Sequence, residues 1–290
     1  MRARRWITTF NRSVILLLLC SFPPAGIDPR VTAVLALLPA SNCAQLQPVD
    51  PRGTLTDIQH AHDLNALIAD ARRRAIDHAY FTDEQVLTRI DADLPLIGCL
   101  ARAARLPPEL LASVLALELD LDYHLTDAVG DQLILSPLGE GFANIDVGAG
   151  YAQVHIKRLK TAIIALNPNL PPSPFLRAYA DLITDASAVD LTLFATRYRA
   201  LDVANAALML RYYTALRMGS QTQRLSLDDM AIIWSAYRGG VIGTPVDPDS
   251  NHRWALVNYQ HVNDPMLMGD TLIAMPYLRY FSLRFNSINP

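Results

Sequence analysis

The sequence predicts a mainly α-helical protein, and three observations carry that expectation. Apolar residues recur at three- and four-residue intervals through most of the chain after residue 53. Capping residues and prolines stand where several of those runs begin. Only one short stretch, around Gln132 to Leu135, has the look of a hairpin. With 290 residues, 51% of them apolar, the chain is long enough to bury a real core, which predicts one main domain with extensions. The formal net charge of -3 and the lack of a Lys/Arg stripe interleaved with aromatics argue against nucleic acid as a partner.

The N-terminus has the pattern of an export segment. Arg2, Arg4 and Arg5 form a basic region, Ser13 to Cys20 an apolar one, and a second apolar run follows from Val31 to Leu38. The Pro23-Pro24 break separates two runs that are each shorter than the ~20 residues a bilayer span requires. Residues 1–44 are therefore expected to be a signal peptide or an uncleaved membrane anchor, placing the protein outside the cytoplasm, either secreted or in the cell envelope. Cys20, Cys43 and Cys99 are too few to imply a disulfide framework, and Cys99 lies in an apolar setting that predicts core.

A polar linker is expected at residues 45–53 and N-terminal helices at residues 54–99. Ile58, Leu64, Leu67, Ile68, Ala71 and Ile76 predict a long amphipathic helix from Thr56 to Ala79. Thr82 and Gln85 form a capping pattern for a helix through Ile90 towards Ala104. Pro107 and Pro108 open a largely apolar helix in which, after Glu109 in the first turn, Glu118 is the acid set among apolar residues near the end. Asp120 to Asp146 is polar and punctuated by Gly and Pro, which predicts a long loop. Helical spacing resumes at Gly150 to Leu166, Leu176 to Leu182, Asp202 to Met218 and Leu227 to Tyr237.

Glu118 is the residue with chemistry in it. An apolar surrounding disfavours the ionised carboxyl, and a carboxyl that keeps its proton near neutral pH is what a general acid needs. About thirty residues downstream, Gly148, Gly150 and Gln153 make a Gly-x-Gly-x-x-Gln turn, and Ala236, Tyr237, Arg238, Gly239 and Gly240 follow near residue 240. These three segments, in this order, resemble the lytic transglycosylase and goose-type lysozyme superfamily, and the helix beginning at Asp202 resembles the family's helix before the Tyr motif. The likeness covers residues 100 to 245, about half the chain.

The resemblance implies a lysozyme-like helical domain over residues 100–250 with an active-site groove, cleaving the β-1,4 glycosidic bonds of peptidoglycan or a related amino-sugar glycan without a cofactor. It assigns the catalytic acid to Glu118, the sugar groove to Gly148, Gly150, Tyr151 and Gln153, and the closing motif to Tyr237 and Arg238. The chain departs from the family at Leu119, where Ser usually follows the acid, and at Arg238, where Asn is usual. Gly130-Asp131 resembles a Gly-Asp step of goose-type lysozymes, while the Asp expected after the Gln turn falls near His155, leaving Asp146 upstream as a substitute.

Cleavage requires a proton on the leaving oxygen as an oxocarbenium-like centre develops. A hydrolase adds a second carboxylate that activates water, for which Asp131 and Asp146 are the candidates; a transglycosylase lets the acid take its proton back while a hydroxyl of the sugar attacks. Tyr237 would hydrogen-bond the acid or the substrate, and the Gln153 amide suits sugar hydroxyls or N-acetyl groups. The plainer alternatives are an exposed helix-end Glu118, glycines that only shape a turn, and a Tyr237 packed in the core.

No metal is expected. His60 and His62 face apart on a helix, and His124 and His155 lack zinc spacing. Ser136 and Cys99 lack the setting of a nucleophile. A different class of function, a non-catalytic glycan-binding or scaffold protein, stays open because of Leu119 and Arg238. The C-terminal residues 251–290, with Trp254, Tyr259, Tyr277, Tyr280, Phe281 and Phe285, predict a strap packed on the domain, the alternative being a carbohydrate-stacking surface.

Overall fold

The structure is a computed structural model that describes residues 28–38, 83–121, 148–150, 152–218, 225–239 and 265–288. The expected helix from Thr56 to Ala79, the hairpin at Gln132 to Leu135 and the linker lie outside the described residues, as do Trp254 and Tyr259. Among the described residues 84% are helical, in nine helices, so the protein is mainly α.

The first helix, α1 (Pro29–Leu35), starts on an Asp28 cap that accepts from the Arg30 amide at 2.8 Å, with Pro29 in the first turn. Val31 and Val34 are buried, and the helix packs against α5 (Pro174–Asp185). The apolar run after Val31 thus has a place in the core.

Helix α2 (Asp83–Ala104) buries Val86, Ile90, Leu94, Ile97, Leu100, Ala101 and Ala104, one face of a 3.6-residue repeat, and continues through the 99/100 boundary expected between two regions. It ends in a left-handed Arg105 (φ 57°), with the Leu106 amide donating to the Ala101 carbonyl and the Arg105 amide to Arg102. That double bond satisfies the last carbonyls of the helix and turns the chain back on itself. Pro107 then caps α3 (Pro108–Leu121), whose residues 108 to 120 are all buried. A helix buried on every side, its polar Glu109, Ser113, Glu118 and Asp120 included, has no solvent face to offer and becomes the centre of the fold. Helices α2, α7 (Arg199–Met218) and α9 (Pro265–Ile288) pack around it.

The expected helix at Gly150 to Leu166 forms only from Ile156, as α4 (Ile156–Leu166). Residues before it make a two-stranded antiparallel hairpin, β1 (Gly148–Ala149) with β2 (Val154–His155), pairing Gly148 with His155 and Ala149 with Val154. Left-handed backbone at Gly150 (φ 68°) and Gln153 (φ 50°) closes the hairpin and is incompatible with a helix there. Helix α6 (Ala188–Arg197), absent from the sequence expectation, begins in a reciprocal capping box between Ser187 and Asp190. Ser226 and Asp229 make the corresponding contacts at the start of α8 (Leu227–Gly239).

The described part of the C-terminal segment is a helix: α9 buries Tyr277, Phe281 and Phe285 against the domain, and Tyr280 donates to Asp91 of α2 at 2.8 Å. Those three rings are in the core and are not available to stack on sugars. Cys99 is buried in the core as expected, and it is disulfide-bonded. No helix among the described residues is long and apolar enough to cross a membrane.

Candidate active site

Glu118 lies near the end of α3 and is 3% exposed, because the helix that carries it is buried along its length. Arg238, in the last turn of α8, donates from Nη1 to Glu118 Oε2 at 2.8 Å. The basic side chain also suits the negative end of its own helix dipole. Two effects then oppose each other at the acid: burial disfavours the ionised carboxyl, whereas the guanidinium favours it. The apolar helix foreseen from sequence is present, but its carboxyl is not alone in it.

The neighbouring Tyr237 is 8% exposed and its hydroxyl donates to the Ala152 carbonyl at 2.7 Å, within the Gly/Gln turn. Tyr237 therefore bonds backbone rather than the acid. Burial foremost, then the charges of Glu118 and Asp202 and the nearby Tyr213, raise its pKa well above the usual tyrosine value, against the opposing pull of Arg238. The hydroxyl is thus a fixed hydrogen-bond donor at any ordinary pH.

The turn is held from a third side. Asp202, in the first turn of α7 and 2% exposed, accepts from the Ala152 amide at 3.3 Å. The peptide groups flanking Ala152 are gripped on one side by Asp202 and on the other by Tyr237. A Cβ on Gly150 would stand 2.5 Å from Asp202 Oδ1, so only glycine fits against that carboxylate. Gly148 passes as closely to the Gln153 side chain and carbonyl. The Gln153 amide nitrogen donates to the Gly150 carbonyl at 2.7 Å, so it braces its own turn; the expected sugar contact would have to use its remaining capacity.

The structure therefore brings Glu118, Gly148, Gly150, Gln153, Tyr237 and Arg238 into one connected network. Asp131, Asp146 and Tyr151 lie outside the described residues. Asp202 is the addition that sequence reasoning missed, since an acid in the first turn of a helix ordinarily signals only favourable dipole placement. Next to it, Tyr179 donates to Asn205 of α7 at 2.7 Å, and burial first, then the Asp202 charge, raises the Tyr179 pKa. No group of three or more His, Cys, Asp or Glu that would hold a metal occurs among the described residues.

Comparison of the chain with known protein families, with curated proteins and with solved structures finds no match.

Proposed function

We propose that the protein is a glycan-cleaving enzyme of the lytic transglycosylase or lysozyme type, acting on peptidoglycan or a related amino-sugar glycan with Glu118 as general acid. One observation carries this reading. Consecutive residues of one helix, Tyr237 and Arg238, bond the Gly/Gln turn and the buried acid respectively, joining three motifs that lie far apart in sequence. A chance scatter of similar motifs has no reason to meet.

In this reading Glu118 protonates the glycosidic oxygen of the leaving sugar and then accepts a proton, either from water or from the sugar's own hydroxyl. Tyr237 and Asp202 keep the glycine turn in place, so that its backbone can approach the glycan. The disulfide at Cys99 and the basic and apolar N-terminal regions support an extracytoplasmic location, where oxidised cysteines persist.

A second reading, a glycan-binding or scaffold protein without turnover, is favoured by the ion pair itself, since a carboxylate held by a guanidinium is not poised to give up a proton. Muropeptide release from purified cell wall by wild type and Glu118→Gln separates the two. Release by wild type alone supports the enzyme; equal release, or none from either, overturns it. Products ending in 1,6-anhydro sugars would mark a transglycosylase, and reducing ends a hydrolase.

A further inference from the structure

Arg211 lies in α7 and is 4% exposed, yet its Nε has no hydrogen-bond partner and no carboxylate among the described residues pairs with it. A guanidinium keeps its proton even in the core, so this is a buried positive charge without a counter-charge. Burial foremost, and then the like charge of Arg105, lower its pKa. By contrast Arg30, Arg199, Arg217, Arg238 and Arg284 each meet an Asp or Glu, and each is more exposed than Arg211.

Arg105 is the exposed, left-handed residue in the turn between α2 and α3. Helix α7 packs against both of those helices, which brings the two cations within electrostatic range of each other. Glu109, in the first turn of α3, does not relieve them: the charge that acts on Arg211 is that of Arg105. The two arginines also stand apart from the Glu118 network. Arg211 is about 13.5 Å along the axis of α7 from Asp202, and Arg105 precedes the start of α3, whose far end carries Glu118.

An anion between the two guanidiniums would supply the missing counter-charge to both. A carboxylate brings one negative charge and two oxygens, which a single guanidinium fork satisfies. A phosphate group brings a charge of about −2 near neutral pH and three acceptor oxygens, enough for two forks. The exposed Arg105 gives such a group access from solvent, and the buried Arg211 gains most from it, because charges away from water interact more strongly.

We propose that Arg105 and Arg211 form a phosphate-binding site, apart from the Glu118 network, that takes inorganic phosphate or the phosphate group of a monoester. The site is independent of whether Glu118 cleaves glycans, and its test needs no turnover.

Binding of inorganic phosphate and of glycerol 1-phosphate to the full chain is measured calorimetrically at about pH 8, where both are mostly dianionic. Sodium chloride holds the ionic strength constant, and wild type is compared with Arg211→Met and Arg105→Gln. Wild type is expected to bind at least one probe saturably, Arg211→Met neither, and Arg105→Gln about tenfold more weakly or worse. Equal affinity for the two probes would identify the phosphate group itself as what is recognised. Binding of glycerol 1-phosphate alone would mark an ester as the ligand, and binding of inorganic phosphate alone the free ion.

Stability gives a second readout. Without phosphate, Arg211→Met exchanges an unpaired charge for an apolar chain and should melt no lower than wild type; added phosphate should raise the melting temperature of wild type but not of Arg211→Met. Absence of saturable binding by wild type, or affinity unchanged in either variant, would overturn the proposal. So would an equal rise in melting temperature for wild type and Arg211→Met, which exclusion of the salt from the protein surface would give by itself. A marked loss of stability in Arg211→Met without phosphate would show the guanidinium to be paired within the chain, and would overturn it as well.

Discussion

The Arg238 guanidinium donates to the Glu118 carboxylate at 2.8 Å across 120 residues of sequence, and this pair couples the last turn of α8 to the central helix of the fold. Removing Arg238 takes a cation away from a carboxylate whose side chain is only 4% exposed. Arg238→Met should therefore destabilise the protein by about 3 kcal/mol, whereas Glu118→Gln/Arg238→Met should recover most of that loss. Urea unfolding of both single variants and the double variant gives the coupling energy; strictly additive effects would mean that the pair contributes nothing.

Glu118→Gln keeps the shape of the side chain and removes its proton chemistry. In the enzyme reading it should lower turnover of cell-wall glycan by about a hundredfold or more, and because the Arg238 it leaves behind reaches solvent it should cost less stability than Arg238→Met. Parallel losses of activity and of folded protein would instead point to a structural role.

At the turn, Gly150→Ala combines a left-handed backbone (φ 68°) with a contact of 2.5 Å to Asp202 Oδ1. A cost of about 1–3 kcal/mol is expected. Adding Asp202→Ala relieves the contact but not the backbone strain, so the double variant should lose less than the two separate costs added together. Thermal unfolding of the four proteins in this cycle decides it.

Val31 and Val34 of α1 are buried, so Val31→Ala/Val34→Ala tests the packing of α1 while leaving every cysteine in place. Each truncation removes buried methyl-sized groups at about 0.8 kcal/mol apiece, so the double variant should melt several degrees lower. Equal melting temperatures would show that the packing of α1 on α5 adds no stability.

Asp229 gives a pH signature. Burial alone would raise its pKa, but hydrogen bonds from the Ser226 hydroxyl, Arg217 and the Ser226 amide outweigh that and hold it below the usual carboxylate value. A depressed carboxylate stabilises the fold fully above its unfolded pKa of about 3.9 and loses that contribution as pH falls towards its folded value. Asp229→Asn should flatten this part of the acid unfolding curve and lower stability at pH 7. An unchanged acid limb would exclude Asp229 as its source.

Most of the helices were legible because their signals are local. The periodicity of Val86 to Ala104, the Pro107-Pro108 start of α3 and the apolar faces of α4 and α7 each need only a few neighbouring residues. The turn at Gly150 to Gln153 was not legible, because it shares apolar spacing with the helix it precedes. Nor was the burial of α1, since an apolar run near an N-terminus has the same local pattern whether or not it packs in a core. The start of α6 is marked locally, by the reciprocal capping of Ser187 and Asp190.

The sequence by itself determined the helical class, the apolar setting of Glu118 and the order of the motifs around it, because these follow from composition and spacing along the chain. Only the tertiary structure decided what those residues touch. The pairing of Glu118 with Arg238, the grip of Asp202 and Tyr237 on Ala152, and the burial of α1 and α9 are contacts between segments that no local pattern links. Burial that would make Glu118 an acid and a cation that holds it as a base are both properties of the packed core, and their balance is set where α3 meets α8.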